Sequence, residues 1–300
     1  MALKQIKNKI IATKKTGQVT KAMESVSAVK MRKSQERAFG SRPYVHAALR
    51  ILGRLAKANQ GMVHPLITPR TTGSVLAVIV TSDKGLAGSV NSAVIKQADL
   101  LFRTGEVTDV IAIGRKAVEF AAREKKNMLA SYMNVNDGVT IEDVYDMTEK
   151  VVAAFTNGSY SKVVVIYQNF LSTFEQAPVV RQVLPLDPAE IETVMSGIKP
   201  KTGKFSENDV TAGAAAPYTV EPSAEEVLDT LIPQLVQILL YHALLESKAS
   251  EHSARMVAMK NATDKSKELV KALTIKFNNK RQAAITAEVS EITAGVESMK

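Results

Sequence analysis

The feature that most constrains the fold is the C-terminal stretch from Ser223 to Met299, which contains no glycine before Gly295. A capping box begins it, because Ser223 precedes Glu226 at the spacing that satisfies backbone N–H groups of a first helical turn. Its 77 residues predict a helix of roughly 115 Å, at about 1.5 Å per residue. A compact chain of this size has a radius of gyration of only about 19 Å. We therefore expect this helix to project from the rest of the fold.

Apolar residues recur along this helix in alternating steps of four and three, the spacing of a coiled coil. Twelve of the seventeen positions of this seam are apolar. The seam consists of Leu231, Leu235, Ile238, His242, Leu245, Ala249, His252, Met256, Met259, Thr263, Ser266, Val270, Leu273, Phe277, Lys280, Ala284 and Ala287. After Phe277 the stripe moves by one residue, to Ile285, Val289, Ile292, Val296 and Met299. A stripe this narrow predicts one partner helix rather than a broad core.

The N-terminal segment supplies that partner. Leu3, Ile6 and Ile10 share one helical face, and further apolar residues continue the stripe as far as Val29. We expect a helix that extends to about Lys57 and pairs antiparallel with the C-terminal helix.

Between the two helices the pattern changes to strands that alternate with helices. Ser74–Val80 is a continuous apolar run, typical of a strand that is covered on both faces. Further strands are predicted at 110–113, 128–133, 162–167 and 179–184, and helices at 89–104, 115–125 and 140–155. This order predicts a mainly parallel sheet, with 179–184 as an antiparallel addition after a turn.

The predicted fold class is α/β, with a long antiparallel coiled coil of N- and C-terminal helices and an inserted Rossmann-like α/β domain. The predicted domain boundaries are residues 1–57 for the N-terminal helix, 70–222 for the α/β domain and 223–300 for the C-terminal helix.

Charge is distributed unevenly along the chain. Residues 1–57 hold 14 Lys or Arg against two Glu, which gives this segment a net charge of +12. The whole chain has a net charge of +9, so the excess positive charge lies in this segment. This excess predicts a docking surface for an acidic protein, with nucleic acid as the alternative partner.

Cysteine is absent, which excludes disulfides and thiolate metal sites. The longest uncharged apolar run, 230–245, is shorter than the roughly 20 residues that span a bilayer, so we expect a soluble or peripheral protein.

Motifs that carry chemistry are few. The glycine-containing segment Thr81–Asn91 follows a predicted strand and opens a helix, where α/β proteins bind phosphate, but it matches neither GxGxxG nor GxxxxGK[ST]. A turn is the simpler interpretation, and a nucleotide-binding enzyme is the alternative. The four histidines, His46, His64, His242 and His252, lack metal-ligand spacing. We predict no catalytic, cofactor-binding or metal-binding residues.

Three segments resemble one family, the gamma subunit of the F-type ATP synthase. They are TKAMESVSAVKMRKSQ (20–35), SDKGLAG (82–88), and SEHSARMVAMKNATDKS (250–266) followed by RQAAITAEVSEI (281–292). The resemblance covers essentially the whole chain. It implies two antiparallel helices wound as a rod with an α/β domain, and a non-catalytic rotary shaft without cofactors. The shaft would couple ion flow through a membrane c-ring to ATP synthesis or hydrolysis in a ring of alpha and beta subunits.

The resemblance also implies partners and contact residues. Alpha and beta subunits, an epsilon subunit and the c-ring would be the partners, nucleic acid would not, and the membrane would be reached only through the c-ring. The implied location is the cytoplasmic face of the bacterial plasma membrane, as a peripheral protein. The family pattern implies that contacts to the alpha/beta ring come from Met23, Lys84, Arg281, Gln282, Thr286 and Glu288. It places Met23 opposite the Arg281 region. Contacts to the c-ring would come from Tyr218 and Glu221.

The chain departs from the family pattern at a few positions. It has Phe277, Asn278, Asn279 and Lys280 before RQA, so that a positive charge has moved by one residue along the helix. Lys84 stands where arginine is common, which keeps the charge but loses the bidentate guanidinium.

Overall fold

The structure is a computed structural model that describes residues 2–40, 47, 64–187 and 223–299. The chain forms two compact units. One consists of Met1–Ser27 and Arg255–Lys300, and the other of Ala28–Ala254. Helix α1 (Leu3–Gly40) and helix α5 (Ala224–Glu297) each contribute residues to both units.

The larger unit contains a five-stranded sheet with the order β3-β2-β1-β4-β5. Its strands are β1 (Ser74–Val80), β2 (Val107–Ile113), β3 (Asn127–Tyr132), β4 (Tyr160–Phe170) and β5 (Gln176–Leu184). The intervening helices are α2 (Val90–Phe102), α3 (Arg115–Arg123) and α4 (Tyr145–Thr156), with a 3₁₀ turn at Glu142–Val144. Strands β3, β2, β1 and β4 are parallel to their neighbours and β5 is antiparallel to β4. The mainly parallel sheet with a final antiparallel strand is confirmed.

Strand β1 shows why the sheet needs helices on both faces. Its side chains alternate, so that Val75, Ala77 and Ile79 contact α2 and α3, while Leu76 and Val78 enter a second core with α4 and the first part of α5. All of them are buried. Because an apolar strand can be covered on both sides only in a layered α/β fold, this sequence run dictates the architecture of the unit.

Helix α5 begins as the capping box predicts. The Ser223 hydroxyl accepts a hydrogen bond from the Glu226 backbone N–H at 3.2 Å. Of the described residues, α5 is also the one helix long and apolar enough, by length and composition, to cross a membrane. Its most apolar stretch is 56% buried inside the protein.

The expectation of a narrow stripe is wrong for the middle of α5. Every residue from His242 to Ser253 is buried. Ser250 donates a hydrogen bond to the Gln168 carbonyl of β4, and Lys248 donates one to the Val135 carbonyl. Since two residues turn an α-helix by about 200°, these bonds leave opposite sides of α5. The helix is therefore enclosed by its own unit rather than lying on one partner.

In the smaller unit the two helices pair antiparallel. The hydroxyl oxygens of Thr20 and Thr263 are 2.7 Å apart. A Cβ on Gly17 would be 3.3 Å from the Cβ of Ser266. Three residues towards the N-terminus on α1, from Thr20 to Gly17, thus correspond to three residues towards the C-terminus on α5, from Thr263 to Ser266. This confirms the predicted antiparallel coiled coil. Small residues at these positions let the backbones approach closely.

We expect Gly17→Leu to destabilise this helix pair, because the added side chain must displace Ser266. Overpacking of this kind costs roughly 1–3 kcal/mol, which a lower unfolding temperature in circular dichroism would report. Gly295→Ala is the matched control, since nothing lies within 4 Å of that position and alanine favours a helix. Equal unfolding temperatures for Gly17→Leu and the unmodified chain would contradict the close approach.

Candidate functional site

The exposed end of α5 is the first candidate site. Arg281, Gln282, Thr286 and Glu288 are all exposed there, and the Thr286 hydroxyl donates to the Gln282 carbonyl at 3.0 Å within the helix. The displaced apolar stripe lies on the same segment, with Ile285, Val289, Ile292, Val296 and Met299 between 51% and 90% exposed. Contiguous exposed apolar side chains mark an interaction surface.

The register of the helix pair explains this exposure. Continuing from the Thr20–Thr263 pair in antiparallel steps, Leu3 at the start of α1 lies level with Lys280. Residues of α5 beyond Lys280 therefore extend past α1 within the described part of the chain. The seam positions fit this limit, since they are buried or half-buried as far as Phe277, and Lys280 is exposed.

The same register corrects the placement of Met23. This half-buried residue lies level with Lys260, which is 21 residues before Arg281. That separation is about 30 Å along a helix, so Met23 does not lie opposite the Arg281 region. The family pattern relates residues by sequence, whereas their distance depends on the pairing of the two helices.

The loop after β1 is the second candidate site. Lys84 is exposed in it, next to the exposed Leu86, whose φ of 62° is in the left-handed region. Asn91 holds the loop by accepting hydrogen bonds from the backbone N–H and the hydroxyl of Ser82, at 3.0 and 3.1 Å. The loop thus presents Lys84 from a base that these hydrogen bonds hold together.

The carboxyl edge of the sheet, where doubly wound proteins bind ligands, is closed by the protein itself. A Cβ on Gly114 would clash with the Thr81 carbonyl oxygen, so the backbones of the two loops are in direct contact. The cavity beside them, lined in part by Lys248 and Glu251, has a volume of about 10 Å³. That volume suits about one water molecule, whereas ligand pockets have roughly 300–1,000 Å³.

Charge also disfavours a phosphate at this edge. The Asp83 carboxylate accepts a hydrogen bond from the Arg115 backbone N–H at 3.0 Å, at the start of α3. A carboxylate already occupies the position at which a helix N-terminus would bind an anion. The nucleotide-binding alternative is therefore not favoured.

The histidines take part in structural contacts. His64 is 3.1 Å from Asp229, and its other ring nitrogen accepts a hydrogen bond from the Leu66 N–H. His252 is 3.1 Å from Asp137. Within residues 2–40, 64–187 and 223–299, no three His, Cys, Asp or Glu side chains are grouped as metal ligands. His46, Tyr218 and Glu221 lie outside the described residues.

Perturbed pKa values in the sheet domain have structural causes. Burial raises the pKa of Tyr160 to about 12, helped by its hydrogen bond to Asp109. Burial and the nearby Glu246 raise the pKa of Tyr167 well above its ordinary value. Both tyrosines lie in β4 and are buried, so these shifts reflect packing rather than an acid–base site.

Sequence comparison matches the family model described as "ATP synthase" to residues 2–299. The ATP synthase gamma chain of Symbiobacterium thermophilum is 38% identical over 99% of this chain and 98% of its own length. The gamma chains of Roseiflexus castenholzii and Heliobacterium modesticaldum are each 37% identical over 99% of this chain, and over 98% and 99% of their own lengths.

Two solved structures with a similar fold come from mitochondrial ATP synthases. A chain of the Euglena gracilis enzyme (OSCP/F1/c-ring) has a TM-score of 0.63 at 16% identity, over 99% of this chain and 94% of that one. A chain of the Tetrahymena thermophila central stalk and c-ring has a TM-score of 0.58 at 24% identity, over 81% and 99%. These likenesses concern the fold, whereas the match to the family model and the identity to the gamma chains concern the sequence over nearly its full length. The chain therefore belongs to the ATP synthase gamma chain family.

Proposed function

We propose that this chain is the central rotary shaft of an F-type ATP synthase. As a non-catalytic subunit, it couples ion translocation through a membrane c-ring to ATP synthesis or hydrolysis in a ring of alternating alpha and beta subunits. The observation that carries the proposal is the exposed apolar stripe of α5 beyond Lys280, in a chain of the gamma chain family. An apolar helix end of this length needs a surrounding partner in solution.

The proposed contacts divide between two surfaces. Arg281, Gln282, Thr286 and Glu288 contact the ring from the end of α5, together with the apolar stripe. Met23 and Lys84 contact it from α1 and from the loop after β1, and the epsilon subunit and the c-ring bind the sheet domain. Tyr218 and Glu221 are the proposed c-ring contacts.

The mechanism follows from asymmetry. A shaft made of two unequal helices presents a different face to each beta subunit around it. If one face stabilises one beta conformation more than another, the nucleotide affinity of that subunit changes with the angle of the shaft, which is a coupling free energy in the strict sense. Rotation then passes each beta subunit through the same series of affinities.

The polar contacts suit a part that must move. Exposed ion pairs contribute roughly 0–1 kcal/mol each, so pairs made by Arg281 or Lys84 with acidic loops form and break without locking the shaft. The apolar stripe adds non-directional contacts. The surface can therefore contact the ring at every rotational angle without being fixed at any of them.

We further propose that the protein lies at the cytoplasmic face of a bacterial plasma membrane and reaches the membrane only through the c-ring. Three gamma chains that are 37% or 38% identical to it are bacterial. The basic N-terminal segment leaves a nucleic-acid-binding protein as the second candidate, because charge alone attracts both nucleic acid and acidic protein.

Purification of the chain from its native membranes at low salt tests the two against each other. The shaft proposal predicts one copy of the chain per ring of alternating P-loop subunits, with ATPase activity in the eluate. Recovery of the chain alone, or with nucleic acid, would overturn it.

Removal of all residues after Lys280 tests the exposed end of α5. We expect a complex that still hydrolyses ATP but pumps fewer protons per ATP, because the segment that extends past α1 is lost. Acidification of membrane vesicles, measured beside ATP hydrolysis, gives this ratio. Wild-type pumping per ATP by the truncated complex would show that the segment is dispensable.

Single variants refine that test. Arg281→Ala should lower ATP-driven pumping roughly two- to fivefold, the effect of losing up to about 1 kcal/mol from exposed charge contacts. Lys276→Ala is the matched control, an exposed cation on the same helix that lies on another face. Equal effects of the two variants would argue against a specific role of Arg281.

Lys84→Glu tests the loop after β1. Reversal of its charge should slow ATP hydrolysis by the complex roughly two- to fivefold at low salt, and the difference should shrink near 0.5 M salt because ions screen exposed charges. Lys96→Glu, an exposed reversal on α2, serves as the control. A salt-independent defect, or an equal defect in the control, would contradict an electrostatic contact at Lys84.

A further inference from the structure

A segment without regular secondary structure, Val135–Ile141, follows β3 and runs along α5; we name it the strap. Three α5 side chains donate hydrogen bonds to its backbone carbonyls. Gln237 donates to Ile141 at 2.9 Å, Tyr241 to Val139 at 3.4 Å and Lys248 to Val135 at 2.8 Å. Because carbonyls outside helices and sheets need partners, α5 supplies what this segment lacks by itself.

The direction of these bonds is regular. As residue numbers rise along α5, they fall along the strap, so the two segments run antiparallel. Val139 is completely buried between them and the sheet core. The strap is therefore attached along its length rather than at one point.

Asp137 is the charged centre of the strap. Its carboxylate lies 2.6 Å from the Lys30 amine on α1, 3.1 Å from His252 Nε2 and 3.6 Å from the Lys248 amine on α5. The side chains of His252 and Lys248 are only 3% and 10% exposed. The hydrogen bond from His252, joined by that from Lys30, holds the pKa of Asp137 well below its ordinary value despite burial.

Helix α1 approaches the strap a second time through Arg37. A Cβ on Gly138 would lie 3.1 Å from the Arg37 guanidinium, so a side chain at position 138 would crowd it. The strap thus contacts both long helices, and Asp137 joins Lys30 of α1 to His252 and Lys248 of α5.

The position of this cluster along the helices is informative. The two compact units divide between Ser27 and Ala28 and between Ala254 and Arg255. Lys30 and His252 each lie within three residues of these divisions. Asp137 therefore contacts both helices in the turns that lie next to the boundaries of the sheet unit.

We propose that the strap, anchored by Asp137, is the torque joint of the shaft, the element that makes α1 and α5 turn with the sheet domain. This inference rests on the proposed rotary function. Apolar contacts are non-directional, whereas charge-assisted hydrogen bonds are directional and roughly twice as strong as neutral ones. The strap also follows β3 after only Met133 and Asn134, so that force on the sheet reaches it through covalent bonds.

The primary test is Asp137→Asn in the assembled complex. We expect amide hydrogen exchange in the strap to become about tenfold faster, the effect of losing a charged hydrogen bond, and protons pumped per ATP to fall while ATP hydrolysis continues. Asp146→Asn is the matched control, because this exposed carboxylate also pairs with a lysine, Lys150 at 2.9 Å, in the same unit. Asp137→Glu, which keeps the charge, should recover part of the coupling.

A second, milder pair of variants guards against misfolding. Lys30→Met removes only the α1 contact from a side chain that is 43% exposed, and it should change strap exchange and coupling in the same direction by a smaller factor. Lys33→Met, an exposed lysine on the same helix, should change neither.

The outcomes separate the joint from the function on which it rests. If Asp137→Asn speeds amide exchange in the strap but leaves protons pumped per ATP unchanged, the strap has only a structural role. If exchange is unchanged, Asp137 does not anchor the strap. Either result contradicts the proposed torque joint. Absence of pumping by the unmodified complex would instead contradict the rotary function, while strap exchange would still report the anchor.

Acid provides an independent check on the anchor. Since the folded pKa of Asp137 is depressed, its stabilising effect is present above the unfolded pKa of about 4 and is lost as pH falls below it. The groups facing it are Lys30 on α1 and Lys248 and His252 on α5. The difference in unfolding temperature between the unmodified chain and Asp137→Asn should shrink as the pH falls from about 5 into stronger acid. A difference that grows below pH 5 would contradict the ion-pair geometry.

Discussion

The enclosure of α5 between residues 242 and 253 is the constraint on which the rest of the structure depends. Twelve consecutive residues are buried there, and a helix can bury all its sides only where other elements surround it. Two polar side chains in this stretch donate hydrogen bonds to backbone carbonyls of the sheet unit, Ser250 to Gln168 and Lys248 to Val135. Buried polar groups are costly unless they are hydrogen-bonded. The sheet domain and the long helix are therefore parts of one packing arrangement.

The sequence predicted the elements whose signal is local. Ser74–Val80 was expected as a strand buried on both faces and has those bounds in the structure, because a continuous apolar run has few other solutions. The antiparallel helix pairing followed from periodicity, since the seam of α5 can be counted along the chain. The contact residues of the site came from the resemblance alone, and they remain proposals.

The features that sequence reasoning missed depend on contacts between residues far apart in the chain. Asp137 meets Lys30 and His252 across 107 and 115 residues, and no periodic pattern indicates such a meeting. The full burial of His242–Ser253 was missed because its serines and lysine suggest an exposed face until their carbonyl and carboxylate partners are known. Met23 was misplaced for a related reason, because the register of two helices is fixed by pairs such as Thr20 and Thr263. The exposed apolar stripe on α5 and the closed edge of the sheet together favour a protein that acts by contacting partner proteins rather than by binding a small ligand. In the rotary proposal these contact surfaces rotate against their partners.

Direct observation of rotation tests the central claim most directly. The chain has no cysteine, so a single one placed at the exposed Lys96 on α2 accepts one fluorescent label or bead. With the catalytic ring of the complex fixed to glass, the shaft account predicts that the label turns in one direction when ATP is added and stops when ATP is removed. A label that stays at a fixed angle while the same complex hydrolyses ATP would contradict it.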